Sequence, residues 1–378
     1  MNNCYLDAEA VITFFRMTGR KHIFITGSRG SGKSHLVNNM LKHMSDSFNL
    51  LQSHRTDTPQ VVIKSNLVAD NKEFVIGVPR TSGINPASKG NNMTIIEDGF
   101  INCAIPAIDT HLDTTPERLF VIDELGYLES SCIPFQNAVE KLLDNSHVLA
   151  VIRKQSTEFL NRICNRKDVL IIDIDSTFET LSCIIMASGM SKRFGSNKLI
   201  TDFNERSLFE NAVSISHFAG FGETLAVTRH DEVIRICEDK NIHFLRHDMP
   251  YRNEMVRLGV TRILSDNASS GNLQPQGILF LPSDQPLITR TSLQLLCLTF
   301  LYYDDKICRL SYKENAGSPC IFPAKYYDEL LNLPEKKGGG FLTKKYPAQV
   351  VLVPVRDEYE LYDIDTPDDI TRLLKFLH

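Results

Sequence analysis

His22-Ile23-Phe24-Ile25-Thr26-Gly27-Ser28-Arg29-Gly30-Ser31-Gly32-Lys33-Ser34 is the stretch on which the reading of this chain turns. Its first five residues form a short apolar run that reads as a buried strand. After it, Leu36, Met40 and Leu41 recur at helical spacing between His35 and Met44. The eight residues from Gly27 to Ser34 fit the glycine-rich phosphate-binding pattern, and they stand between a strand and a helix, as that pattern requires. Successive backbone N–H groups of Gly27, Ser28, Arg29, Gly30, Ser31 and Gly32 wrap phosphates, and the following helix presents its positive end. Lys33 is the residue to neutralise the β- and γ-phosphates, and the Ser34 hydroxyl is the one to ligate Mg²⁺. The chain is therefore expected to bind a nucleoside triphosphate with magnesium.

Outward from this loop the α/β rhythm continues. The first 20 residues read as an amphipathic helix ending near Gly19. Short strand-like pieces, Val61-Val62-Ile63 and Phe74-Val75-Ile76, lie between turn-rich clusters, of which Ser82 to Asn92 is the longest. Arg118 to Ile122 is an apolar strand running into Asp123-Glu124. Phe135 to Leu143 is helical, and Val148 to Ile152 and Val169 to Ile174 are two further buried strands. Leu181 to Ala187 then restarts the pattern. Helix-like Leu208 to Phe218 and Asp231 to Asp239 follow, with strands at Thr224 to Val227, His243 to Leu245 and Gly277 to Leu281. Strands alternating with helices predict parallel sheets. At 378 residues the chain exceeds one ordinary core. Two α/β domains are expected, residues 1–178 and 179–378.

Composition narrows the partners. With a formal net charge of -5 there is no overall electrostatic drive toward nucleic acid or an anionic membrane. No apolar run is long enough to span a bilayer. The nine cysteines form no CxxC pair, and several sit in apolar runs, as reduced buried thiols do. Asp7 and Glu9 precede the apolar stretch Val11 to Phe15, unlike a secretory leader. The expected location is the cytoplasm.

At the end of its strand, Asp123 stands where a carboxylate holds Mg²⁺ through water, and Glu124 is a candidate base for the attacking water. The alternative is that both acids cap the next segment. Together with the Gly27–Ser34 loop, Val121-Ile122-Asp123-Glu124-Leu125-Gly126-Tyr127-Leu128-Glu129 resembles the signature of the nucleoside-triphosphatase family first known from thermophiles. The resemblance covers roughly residues 20 to 175. It implies nucleoside triphosphate hydrolysis with little base selectivity, or use of that energy on a partner. Arg153 and Lys154, after the strand at Val148, occupy the place of that family's basic turn; they either stabilise phosphate charge or are solvated.

The second loop is Met186-Ala187-Ser188-Gly189-Met190-Ser191-Lys192-Arg193-Phe194-Gly195-Ser196-Asn197-Lys198. Small residues such as Ala187, Ser188 and Gly189 admit a nucleotide close to the backbone, and Arg193 and Lys198 supply positive charge. This loop resembles the signature of nucleotidyltransferases of the molybdenum-cofactor type. Pro282-Ser283-Asp284-Gln285-Pro286, Gly317-Ser318-Pro319 and Asp363-Ile364-Asp365-Thr366-Pro367-Asp368 match further motifs of that family in order. The resemblance covers residues 181 to 378 and implies a Rossmann-like (GT-A-like) sheet. Asp284 is the implied magnesium ligand. Asp365 is either a second metal-side acid or a cap for the last helix.

The implied chemistry is attack of an acceptor phosphate on a nucleotide α-phosphate, with pyrophosphate leaving. Ala187-Ser188 is closer to the cytidylyltransferase branch, which implies CTP and a molybdopterin-type phosphorylated acceptor. Departures stand at Ser188, at Glu254, where a Gly is usual, and at Leu258, near a usual Ser. They motivate an alternative: a nucleotide-binding accessory protein that docks on a client molybdenum hydroxylase, with a weak transferase site. Lys336-Lys337-Gly338-Gly339-Gly340 resembles the family's acceptor-side loop, or is simply a solvated turn.

Overall fold

The computed structural model describes residues 6–44, 47–80, 93–191, 193–269, 271 and 273–377. The turn-rich stretch Ser82 to Asn92 lies outside the described residues. The chain divides into two compact units, one spanning Val11–Asp175 and the other running from Ser176 onward and including the segment before Val11. Among the described residues no helix is long and apolar enough to cross a membrane, and the described cysteines are free thiols.

In the first unit, the part of α1 (Ala8–Thr18) from Val11 onward leads to β1 (His22–Gly27) and α2 (Lys33–Met44). Four strands come next: β2 (Phe48–Arg55), β3 (Val61–Ser65), β4 (Phe74–Pro79) and β5 (Met93–Ile95). After the short α3 (Glu97–Gly99) and α4 (Ile105–Thr114), the chain alternates β6 (Leu119–Leu125), α5 (Ile133–Asn145), β7 (His147–Arg153), α6 (Glu158–Cys164) and β8 (Val169–Asp173). The sheet order is β5-β4-β3-β2-β6-β7-β1-β8. Ile23, Phe24 and Ile25 of β1 are fully buried, as a central strand covered on both faces must be. The parallel expectation holds for β2, β6, β7, β1 and β8. It fails for β3, β4 and β5, which pair antiparallel. β2, β3 and β4 follow one another through connections too short for a helical crossover, so only antiparallel pairing is open to them.

The second unit opens with β9 (Leu181–Ala187), α7 (Leu208–Ala219), β10 (Glu223–Thr228), α8 (Asp231–Asp239), β11 (His243–Arg246), α9 (Arg252–Ser269) and β12 (Gly277–Pro282). It continues with α10 (Arg290–Tyr303), β13 (Ile307–Tyr312), β14 (Asn315–Pro323), α11 (Tyr327–Leu331), α12 (Gly340–Lys345), β15 (Val350–Pro354) and α13 (Pro367–Leu373). Helix α7 starts on a capping box between Ser207 and Glu210 and ends at Gly220 in the left-handed region. The order is β11-β10-β9-β12-β14-β13-β15. Here too the sheet is mixed, because β14 runs antiparallel to β12 and β13. A small core of Phe203, Leu208, Leu287, Ile364 and Leu373 anchors the segment before α13 beneath the ends of β9 and β12.

One tight approach fixes how the chain enters this sheet. A Cβ at Gly222 would lie 2.1 Å from the Glu179 carbonyl oxygen, a backbone atom that has nowhere to go. Gly222→Ala is expected to lower the stability of the second unit by about 1–3 kcal/mol. Gly340→Ala, where an added Cβ meets nothing within 4 Å, should change it little. Denaturant titrations of the two variants check this.

Candidate functional sites

Both candidate sites lie at carboxyl ends of parallel strands, where α/β sheets place their ligands. In the first unit the loop from Gly27 to Ser34 joins β1 to α2. Gly30 and Gly32 have φ of 80° and 98°, a region that favours glycine. Gly27 is required for a different reason: a Cβ there would lie 2.7 Å from Ser31 Oγ and 3.1 Å from Asp175 Oδ1. Lys33 folds back over the loop and donates to the carbonyls of Gly27 and Ser28, each at 2.8 Å. Arg29 and Ser34 are exposed. The Ser31 hydroxyl is buried without a hydrogen-bond partner among the described residues, an exception among buried polar groups.

Sheet register brings the other groups to the same edge, with Gly27 opposite Arg153 and Gln52 opposite Asp123. Asp123 accepts from Gln52 Nε2 at 3.2 Å. Burial pushes its carboxyl above the usual range, while Lys33 and the Gln52 bond pull it back. Glu124 pairs with Arg153 Nε at 2.9 Å, and the guanidinium lies 6.0 Å from the Tyr127 ring centre. Gly126 makes room for that arginine, since a Cβ there would sit 2.8 Å from Arg153 Cδ. Glu129, buried and pushed up to about 7 by burial, accepts from the Gly126 N–H at 2.9 Å. Its place in the motif is thus to fold the turn that carries Glu124. A cavity of about 390 Å³, lined in part by Thr26, Arg153, Lys154 and Gln155, opens at this edge.

Two contributors here have no signal in the sequence. Gln52 lies on β2, a strand whose apolar pattern is weak. Asp175 takes the Ser28 N–H at 2.6 Å and its hydroxyl at 2.9 Å. Lys154, itself exposed, bridges Asp173 and Asp175 at 2.7 and 3.3 Å and so is tied to the loop's anchor.

In the second unit the loop after β9 is pinned residue by residue. Thr228 Oγ1 donates to the Ala187 carbonyl at 2.8 Å. Ser188 Oγ donates to the Val227 carbonyl at 2.8 Å and lies 2.7 Å from His247 Nε2. His230 Nε2 is 2.9 Å from the Gly189 carbonyl. His247 Nδ1 accepts the Met249 N–H at 3.1 Å, which assigns the ring proton to Nε2 and makes it the donor to Ser188. Burial, with Arg229 close by, holds His247 below the usual imidazole value.

At the far end of that loop Lys198 is buried. Its ammonium donates to Asp284 Oδ2 at 2.9 Å, the Ile364 carbonyl at 2.5 Å and Asp365 Oδ1 at 3.4 Å. Arg193 donates to the other Asp365 oxygen at 2.7 Å. The cap of α13 is made by Thr366 and Asp369, so Asp365 is not the cap and faces the two cations. Asp363 accepts from Gln285 Nε2 at 2.8 Å; burial, and then Asp284, raise its carboxyl above the usual range. Asp284, Arg193, Lys198 and Asp365 are thus brought into one cluster. Among the described residues no hydrogen bond or ion pair ties the side chains of Ala187 or Ser188, or Gly189, directly to it.

Residues 22–179 match the family model described as NTPase, and residues 183–350 match that of the MobA-like NTP transferase domain. The chain joins an NTPase domain to a MobA-like NTP transferase domain. Nucleoside-triphosphatase THEP1 of Thermotoga sp. (strain RQ2) is 26% identical over 155 residues, covering 40% of this chain and 86% of the relative. THEP1 of Thermotoga maritima is 24% identical over 154 residues, with the same coverage. Among solved structures, the homolog of Mycobacterium tuberculosis Rv0371c from Mycobacterium sp. strain JC1 aligns with a TM-score of 0.45 and 20% identity, over 53% of this chain and 97% of that one.

In the transferase domain, the departure at Glu254 has a local cause. Its carboxylate accepts the Tyr251 N–H at 3.3 Å and so satisfies one of the open donors at the start of α9. Lys336 is tied down as well, its N–H donating to Asn253 Oδ1 at 3.0 Å and its ammonium 5.1 Å from the Tyr251 ring centre.

The His247 network carries a pH signature. The folded chain disfavours the charged ring, while the unfolded chain takes up the proton near the ordinary imidazole value of about 6.5. The stabilisation is complete above that value and is lost as pH falls below it. The transferase domain of the wild-type chain is expected to lose more stability between pH 7 and 5 than that of His247→Gln, read as the difference in thermal midpoint at each pH.

Proposed function

We propose that the chain carries two separate magnesium-dependent nucleotide chemistries: hydrolysis of nucleoside triphosphates at Gly27–Ser34 with Asp123 and Glu124, and nucleotidyl transfer at the loop after β9. The transfer we propose is from CTP to a phosphorylated pterin, molybdopterin cofactor, giving its cytosine dinucleotide form. The observation that carries the reading is the cluster of Lys198, Arg193, Asp284 and Asp365 at the ends of β9 and β12.

For transfer, an acceptor phosphate oxygen forms a bond to the α-phosphorus, the bond to the β-phosphate breaks, and pyrophosphate leaves. The acceptor oxygen is already anionic, so no protein base is needed, and the chain's task is alignment and charge balance. The backbone of Ala187 to Gly189, held by Thr228, His247 and His230, receives the nucleotide. Arg193 and Lys198 face its triphosphate. The residues fit a magnesium ion: Asp284 and Asp365 are hard oxygen donors, and the buried Gln285 Oε1 beside Asp363 has no partner among the described residues. An ion held by two carboxylates keeps several waters and takes its remaining ligands from phosphates. When bound, the ion supplies charge neutralisation at the phosphates.

For hydrolysis, Lys33 turns from its carbonyl contacts to the phosphates, and Glu124 orients water once Arg153 releases it. Arg153 is then free to meet charge at the phosphates. Ser34 and Asp123 are the residues that would hold magnesium there.

The sites are expected to fail separately. Lys33→Ala should lower phosphate release from nucleoside triphosphates by about a hundredfold or more and leave pyrophosphate release unchanged, and Asp284→Asn should do the reverse. The assay incubates the full chain with each nucleotide, Mg²⁺ and molybdopterin cofactor, and looks for the dinucleotide by mass. If no nucleotide gives a dinucleotide, the transfer reading is wrong.

A further inference from the structure

Lys198 and Asp284 are each assigned a ligand by the transfer reading, yet here they are bound to one another. The ammonium is buried, with a side-chain exposure of 6%, while Asp284 and Asp365 are 29% and 40% exposed. The lysine therefore holds the inner side of a pair of carboxylates whose outer side meets solvent. Three carboxylates, Asp284, Asp363 and Asp365, gather around two cations, Lys198 and Arg193. Buried charge must be balanced, and in the nucleotide-free chain Lys198 is the group that balances it. The side-chain amide oxygen of Gln285, whose Nε2 donates to Asp363, is buried without a hydrogen-bond partner among the described residues.

We infer that Lys198 stands in for the divalent cation: in the free chain its ammonium occupies the Asp284–Asp365 pair, and it leaves those carboxylates when a metal ion takes them. A lysine suits this exchange. It is a compact point charge on a flexible four-carbon stem, and it forms no fixed bidentate fork. The loop that carries it also turns through left-handed backbone, at Ser191 with φ 48° and Gly195 with φ 81°. Ammonium and metal then exclude one another, and metal binding without nucleotide is weak, because it leaves Lys198 with no anion to turn to. A nucleotide triphosphate removes that penalty by offering the displaced ammonium a phosphate. Metal and nucleotide are thereby made to arrive together. This last step rests on the transfer reading; the exclusion of metal by Lys198 does not.

The test uses the full chain without nucleotide and Mn²⁺ as the probe, with free ion measured by electron paramagnetic resonance. Lys198→Gln should bind Mn²⁺ at least about tenfold more tightly than the wild type, the scale of removing one positive charge a few ångström away. Lys198→Arg, which keeps the charge, should stay as weak as the wild type. Adding Asp284→Asn to Lys198→Gln should abolish the gain. The inference is overturned if Lys198→Gln binds no more tightly, or if its gain survives Asp284→Asn. Should Lys198→Gln not fold, the wild type decides: amine acylation of Lys198, read by mass spectrometry, should rise in step with Mn²⁺ occupancy. Unchanged acylation at saturating Mn²⁺ contradicts exclusion. Neither readout involves catalysis, so a chain that makes no dinucleotide can still show the exchange.

Discussion

The ammonium of Lys198 ties together three segments distant in sequence: the loop after β9, the end of β12 and the strand-like stretch before α13. Without those partners a buried ammonium is costly, and with one partner removed the remaining charges are stranded. The surrounding structure follows from holding it there. Ile364 is fully buried, which fixes its carbonyl against the lysine. The Ile364 N–H donates to the Asp284 carbonyl at 2.9 Å, which sets Asp284 beside Asp365. Thr366 and Asp369 take over the helix cap and leave the Asp365 carboxylate to the cations.

The NTPase domain solves a similar problem with weaker partners. Lys33 rests on two backbone carbonyls, neutral acceptors that give way readily to a phosphate. Its loop is held at the opposite end by Asp175, whose carboxylate takes both the N–H and the hydroxyl of Ser28. One lysine is parked on dipoles and the other on charges. A phosphate alone competes well with the first arrangement, whereas the second favours a phosphate accompanied by a cation. The two loops thus differ in more than motif.

What was legible in the sequence is what is local. Gly27 to Ser34 is a continuous run between a strand and a helix, so its geometry is written in adjacent residues. The same holds for the strands that end in Asp123 and Asp284, and for the α/β order of both domains. Contacts between residues far apart were not legible. Asp175 lies 147 positions from Ser28, and nothing in either neighbourhood names the other. Asp365 stood between two roles because Thr-Pro-Asp-Asp is a helix start whichever acid makes the cap; only the placement of Asp369 separates them. The antiparallel edges were missed because β3, β4 and β5 are short and flanked by polar turns, and an apolar strand pattern does not state pairing direction. Glu254 stood as a departure and His247 drew no reading, and the meaning of both lies in the groups they satisfy.

We propose two independent nucleotide sites on one chain, one at Gly27–Ser34 and one at the loop from Met186 to Lys198. Native mass spectrometry of the full chain with Mg²⁺ and a non-hydrolysable triphosphate analogue tests it most directly. Two nucleotides are expected to bind per chain, with one lost in Lys33→Ala and the other lost in Asp284→Asn. A single nucleotide per chain, or loss of both through either substitution, would contradict it.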